Sequence, residues 1–217
     1  RERYTVLASG AALGRGCGPL LVARPGVFDA DQPLALQRLS QRRVAIPGRY
    51  TTAYLLLRAL APALTECVTM RFEAIMPAVA AGEVDAGLII HESRFTYPAH
   101  GLVQVADLGV LWEAETGLPL PLGVIAVQRS LGTKLASALE DGIVTSIAAA
   151  RTRPEAAWPY IRAHAQEMDP AVCRRHIALY VNEFSLALGD EGRAAIDALL
   201  ARGEAAGLLP TGPAVWR

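Results

Sequence analysis

The sequence predicts an α/β protein built on a parallel sheet, and three features carry that expectation. Strand, helix, strand, helix and strand alternate over residues 43–91, the order that lays parallel strands side by side. Leu88, Ile89 and Ile90 form a continuous apolar run rather than an alternating one, as a strand covered on both faces requires. Apolar residues then recur at helical spacing through the last third of the chain, at Leu131, Leu135, Leu139, Ile143 and Ile147.

Taken in order, Tyr4-Thr5-Val6-Leu7 reads as a strand. Residues 9–19 read as a loop whose glycines take positive φ or let two backbones approach. Their spacing matches neither the dinucleotide fingerprint nor the P-loop, which also needs a Lys followed by Ser or Thr. Leu20-Leu21-Val22-Ala23 is a second strand, ended by Arg24-Pro25-Gly26, and residues 27–41 are a connector. The strand Val44-Ala45-Ile46 leads through Pro47-Gly48-Arg49-Tyr50 into a helix opened by Thr51 and Thr52. Residues 68–72 alternate like a strand, and residues 73–81 form a helix stopped by Gly82. After the apolar run, residues 92–101 read as a polar and aromatic loop. Residues 102–109 are strand-like, and residues 110–117 make a short helix. Residues 118–123 are extended, because each proline pushes its predecessor out of the helical region, and they run into a strand at 124–127. Helices are expected over 131–150, from Pro154 through Ala165, from Pro170 through Val181, and from an Asp190 cap to about Gly207.

Composition narrows the function. The 217 residues balance 21 Lys+Arg against 21 Asp+Glu, so the basic surplus of a nucleic-acid binder is missing. No apolar run is long enough to cross a membrane. Cys17, Cys67 and Cys173 lie far apart and are odd in number, which fits reduced thiols in a cytoplasmic protein. The chain opens on Arg1-Glu2-Arg3 immediately before a strand, from which we expect a further N-terminal segment in the full protein.

Two stretches can do chemistry. His91 follows a buried strand directly, and ligands of open α/β sheets sit beyond the strands' carboxyl ends. An imidazole there can accept a proton, or it can be a satisfied core residue. The helix start at Thr51, Thr52 and Ala53 is either an ordinary cap or, by the same physics, a dock for a carboxylate or phosphate. His100, His164 and His176 sit in a loop and in helices, and no HxxxH pair or cysteine pair offers a metal site. A histidine base facing an anion-binding helix start suits proton abstraction from an anionic small molecule without a cofactor.

Four separated motifs, in order, carry a resemblance. Residues 10–19, residues 47–54 (Pro-Gly-Arg-Tyr-Thr-Thr-Ala-Tyr), residues 86–97 and residues 116–123 (Thr-Gly-Leu-Pro-Leu-Pro-Leu-Gly) together resemble the 1,4-dihydroxy-6-naphthoate synthase family of the futalosine route to menaquinone. The resemblance implies a two-lobed fold like the type II periplasmic binding proteins, with a ligand cleft between lobes. Lobe A would comprise residues 1–39 and 122–217, and lobe B residues 40–121. It further implies a cytoplasmic, cofactor-independent carbon–carbon lyase acting on cyclic dehypoxanthinyl futalosine. His91 matches the family's proton acceptor, and Thr52 and Ala53 match its ligand-binding pair; Thr51 is added as a neighbour of that pair. The family's Pro-Asn-Asp motif and Lys-Leu-Ser stretch have no counterpart in these residues. Three other readings stay open: a solute-binding protein for a small carboxylate, the related chorismate dehydratase, and an effector-sensing module.

Overall fold

A computed structural model describes residues 1–28, 36–165 and 169–216. Its strands are β1 (Tyr4–Val6), β2 (Ala12–Gly14), β3 (Leu20–Ala23), β4 (Arg43–Ile46), β5 (Glu66–Thr69), β6 (Ala86–Ile89), β7 (Val103–Asp107), β8 (Leu120–Gly123) and β9 (Ala126–Gln128). Its α-helices are α1 (Thr52–Leu60), α2 (Phe72–Ala81), α3 (Ser93–Thr96), α4 (Leu108–Thr116), α5 (Gly132–Thr152), α6 (Pro154–His164), α7 (Pro170–Tyr180), α8 (Glu183–Leu186) and α9 (Gly189–Ala205). The chain divides into two compact units. One holds Arg1–Gly14, Leu118–Leu199 and Pro210–Arg217; the other holds Arg15–Gly117 and Leu200–Leu209.

The second unit is built on a five-stranded sheet in the order β5-β4-β6-β3-β7. β4 runs parallel to both β5 and β6, as the alternation over residues 43–91 predicts. β3 runs antiparallel to β6 and β7, so the whole sheet is mixed. On one face Leu20, Val22, Ala45 and Ile89 pack with Ile75, Met76 and Val79 of α2. Leu21, Val44, Ile46 and Leu88 alternate with them along the strands and are also fully buried. Both faces are therefore covered, which is why these strands read as apolar runs rather than alternating ones. Gly87 lets α2 come this close: a Cβ there would lie 2.5 Å from Ile75 and 2.8 Å from Val79.

The units divide at Gly14/Arg15 and at Gly117/Leu118, whereas the sequence-based boundaries lie at 39/40 and 121/122. The earlier first division follows from β3, which pairs on both sides within the five-stranded sheet. Arg24, just after β3, also donates to the carbonyls of Val79 in α2 and of Val84 between α2 and β6. Part of the connector at 27–41 lies outside the described residues.

The first unit pairs β1 with β9 and β2 with β8, both antiparallel. β2 corrects the expectation of a loop over 9–19. Asn182 donates to the Leu13 carbonyl at 2.6 Å, and Ser185 donates to the Ala11 carbonyl at 2.8 Å. The capping box of α8 thus holds a strand too short and too rich in glycine to announce itself. The helix expected over 131–150 is α5. Leu135 and Leu139 are 44% and 42% exposed, and among its described residues only Ala136 is buried. The helical period is real, and within it Ile143 packs against the cluster of Leu7, Val127 and Ala136 while Leu135 and Leu139 lie at the surface.

Candidate functional site

The carboxyl ends of β5, β4 and β6 lie at one end of the sheet because the three strands are parallel. β3 starts and β7 finishes at that same end, since Leu20 pairs with both Ile89 and Asp107. Five connections therefore gather there: residues 47–51 after β4, 70–71 after β5, 90–92 after β6, 15–19 before β3, and the passage from β7 to α4.

The two connections singled out from the sequence are neighbours. Val44 of β4 faces Ala86 of β6, and Ala45 faces Gly87. The chain leaves β4 at Ile46 and enters α1 at Thr52; it leaves β6 at Ile89 and reaches His91 two residues later. Thr51 caps α1. Its hydroxyl accepts from the Tyr54 amide at 3.1 Å and donates to the Gly48 carbonyl at 2.8 Å. That hydroxyl is spent on shaping the turn. Thr52 is half-buried and Ala53 is buried, and both belong to the first turn of the helix, at the positive end of its dipole.

His91 is exposed, which removes the reading of a satisfied core histidine. Its φ is 57°, the positive value in this structure that does not belong to a glycine among the described residues. The left-handed region costs an L-residue about 1–2 kcal/mol. Such outliers persist where surrounding structure over-determines them, and they cluster at functional sites. The positive φ turns the chain sharply off β6, so the picture of His91 and Glu92 alternating in an extended segment gives way to a turn. The imidazole packs edge-to-face on Phe72, ring centroids 5.3 Å apart at 66°.

The loop expected over 92–101 is instead α3 followed by a 3₁₀ turn over Tyr97–His100. Arg94 of α3 anchors it. Its guanidinium lies 3.1 Å from the Asp107 carboxylate, with both side chains largely buried, and it also donates to the Gly18 carbonyl. Asp107 in turn accepts from the Gly109 and Val110 amides at 2.9 and 3.2 Å, capping α4. Gly18 and Gly109 cross so closely that a Cβ on Gly18 would lie 2.3 Å from the other backbone. This knot joins the segments before β3 and after β7 to the helix that follows His91.

Cys17 lies inside the knot. Burial pushes its thiol from 9.0 up to about 11, opposed by the Arg94 cation and reinforced by the Glu113 carboxylate. A folded-state value above the unfolded one stabilises fully below about pH 9 and is lost as pH rises towards about 11. Unfolding free energies from denaturant titrations should therefore fall over that window, by about 3 kcal/mol at most, and Cys17→Ala should flatten the fall.

Sequence reasoning missed Phe72 and the Arg94–Asp107 pair. Phe72 was assigned to the end of a strand over 68–72; in the structure β5 ends at Thr69 and Phe72 opens α2. The start of the apolar helical period just after Arg71 was the available signal. Nothing in the spacing of Arg94 and Asp107 announces their pairing, which depends on β3 lying between β6 and β7.

A family model described as menaquinone biosynthesis matches residues 1–205. A Thermus thermophilus protein named 1,4-dihydroxy-6-naphtoate synthase is 53% identical over 213 residues, spanning 98% of this chain and 75% of that protein. A Streptomyces coelicolor protein of the same name is 51% identical over 214 residues, spanning 96% of this chain and 73% of that protein. A crystal structure of an Archaeoglobus fulgidus protein superposes with a TM-score of 0.85 at 36% identity, covering 96% of this chain and 75% of that one. A Candida albicans protein described as having the generic periplasmic binding protein fold gives a TM-score of 0.62 at 14% identity, covering 99% and 70%, a likeness of fold alone. Among the described residues no helix is long and apolar enough to cross a membrane. With more than half its residues identical to both named relatives over almost its whole length, the chain belongs to the menaquinone-biosynthesis family of enzymes.

Proposed function

We propose that this protein is a lyase that converts cyclic dehypoxanthinyl futalosine to 1,4-dihydroxy-6-naphthoate in menaquinone biosynthesis. The observation that carries the reading is the pairing of His91 and the α1 start at the carboxyl ends of two adjacent parallel strands, in a chain of this family. The substrate is a small carboxylate, the charge that a helix N-terminus attracts. Its carboxylate docks on the amides of Thr52 and Ala53, in a turn held by the Thr51 cap. His91 then accepts a proton from the sugar-derived ring as the ring fragments and the second aromatic ring forms. A general base at this position contributes about 10²–10⁴-fold in rate. No cofactor is assigned a step, and the work is placed in the cytoplasm.

The test is direct incubation of the protein with cyclic dehypoxanthinyl futalosine, followed by mass spectrometry. Release of 1,4-dihydroxy-6-naphthoate supports the reading. Reversible binding without turnover would make this a solute-binding protein instead. The dock has its own test. Thr52→Val keeps the shape of the first turn but removes a hydroxyl beside the carboxylate. It should raise KM by roughly tenfold to a hundredfold, the range of one hydrogen bond to a charged group, with kcat nearly unchanged. An unchanged KM would count against docking at α1.

A further inference from the structure

We propose that Phe72 is a positioning residue for His91, and that its ring sets kcat by aiming the imidazole. The proposal rests on the reading of His91 as the proton acceptor and adds a residue to which nothing else in the sequence pointed.

His91 is exposed and sits on a turn with φ 57°, so burial does not fix its ring. Phe72 meets the ring at 5.3 Å between centroids and 66° between planes, the preferred edge-to-face arrangement. Phe72 is itself held. It is half-buried and packs against the cluster that contains Leu20, Ile75, Val79 and Ile89. The topology explains how the two residues meet. Phe72 follows β5, the edge strand beside β4, but α2 packs back across β4 and β6. Its first residue therefore arrives where β6 ends. One side of the imidazole rests on a wall continuous with the sheet's core, which ties its position to that core.

A base must lie within hydrogen-bond reach of the proton it takes, so its placement acts on the chemical step more than on binding. Phe72→Leu keeps the apolar bulk and removes the aromatic wall. It should lower kcat about tenfold, the upper range for one aromatic pair, with KM within about twofold. Phe72→Tyr keeps the ring and should keep kcat. The decisive comparison is a double-mutant cycle with His91→Ala. If Phe72 works through His91, Phe72→Leu costs nothing more once the imidazole is gone. An equal loss in both backgrounds overturns the proposal while leaving His91 as the base. Undiminished turnover in His91→Ala alone defeats the base reading, and the proposal with it. A second readout needs no turnover. The His91 ring protons should carry a ring-current shift that disappears in Phe72→Leu and survives in Phe72→Tyr; identical His91 resonances in all three proteins overturn the proposal.

Discussion

His91→Ala lowers kcat by at least about a hundredfold, the lower range for loss of a general base, and leaves the circular dichroism spectrum of the folded protein in place. The expectation follows from where the residue sits. It is exposed at the end of β6, so its removal opens no cavity and leaves the buried strand below it untouched. The backbone supplies an internal control. At φ 57° an alanine inherits the strain of the left-handed region, whereas a glycine does not. His91→Gly should therefore be more stable than His91→Ala by about 1 kcal/mol, yet equally slow. Stability and activity would then separate at one position, as expected of a strained residue kept for its chemistry. Retention of turnover in both variants would take His91 out of the mechanism.

Arg94→Met destabilises the protein by about 3–5 kcal/mol, the cost of breaking a buried ion pair from one side. Only 13% of the Arg94 side chain and 11% of the Asp107 side chain are exposed, so screening by water is slight. The substitution strands the Asp107 carboxylate and also removes the donor to the Gly18 carbonyl. Urea unfolding followed by circular dichroism measures the loss. Asp107→Asn serves as the comparison. It keeps the oxygen that caps α4 through the Gly109 amide, but turns an amide NH2 towards Arg94 where the second carboxylate oxygen stood, so the ion pair goes while the cap and the Arg94 bond to the Gly18 carbonyl stay. It should cost less than Arg94→Met. A loss below about 1 kcal/mol for Arg94→Met would mean that the pair behaves like a surface ion pair and does not hold the knot.

The sheet end was legible in the sequence where local signals agree with tertiary structure. Pro47 through Thr52 reads as strand, turn and capped helix because each step is written by residues within hydrogen-bond reach of one another. Leu88 and Ile89 read as a doubly covered strand because covering removes the polar alternation. The period of α5 was equally clear, but a period says only that a stripe exists. Leu135 and Leu139 show that not all of it need face the core of its own unit, although Ile143 does. What escaped depends on partners distant in sequence. β2 is held by Asn182 and Ser185, far along the chain. β3 is an interior strand of the five-stranded sheet because of strands that come some 65 to 85 residues later. His91 could be singled out from its place after a buried run, whereas its turn conformation and its contact with Phe72 could not. Both follow from how α2 crosses the sheet.

The central claim is that one small carboxylate touches both the α1 start and the His91 ring. The most direct measurement is a heteronuclear NMR titration of the labelled protein with 1,4-dihydroxy-6-naphthoate, the expected product. The backbone amides of Thr52 and Ala53 and the ring resonances of His91 should shift together along one saturating curve. Saturation that moves only one of the two groups, or neither, contradicts the account.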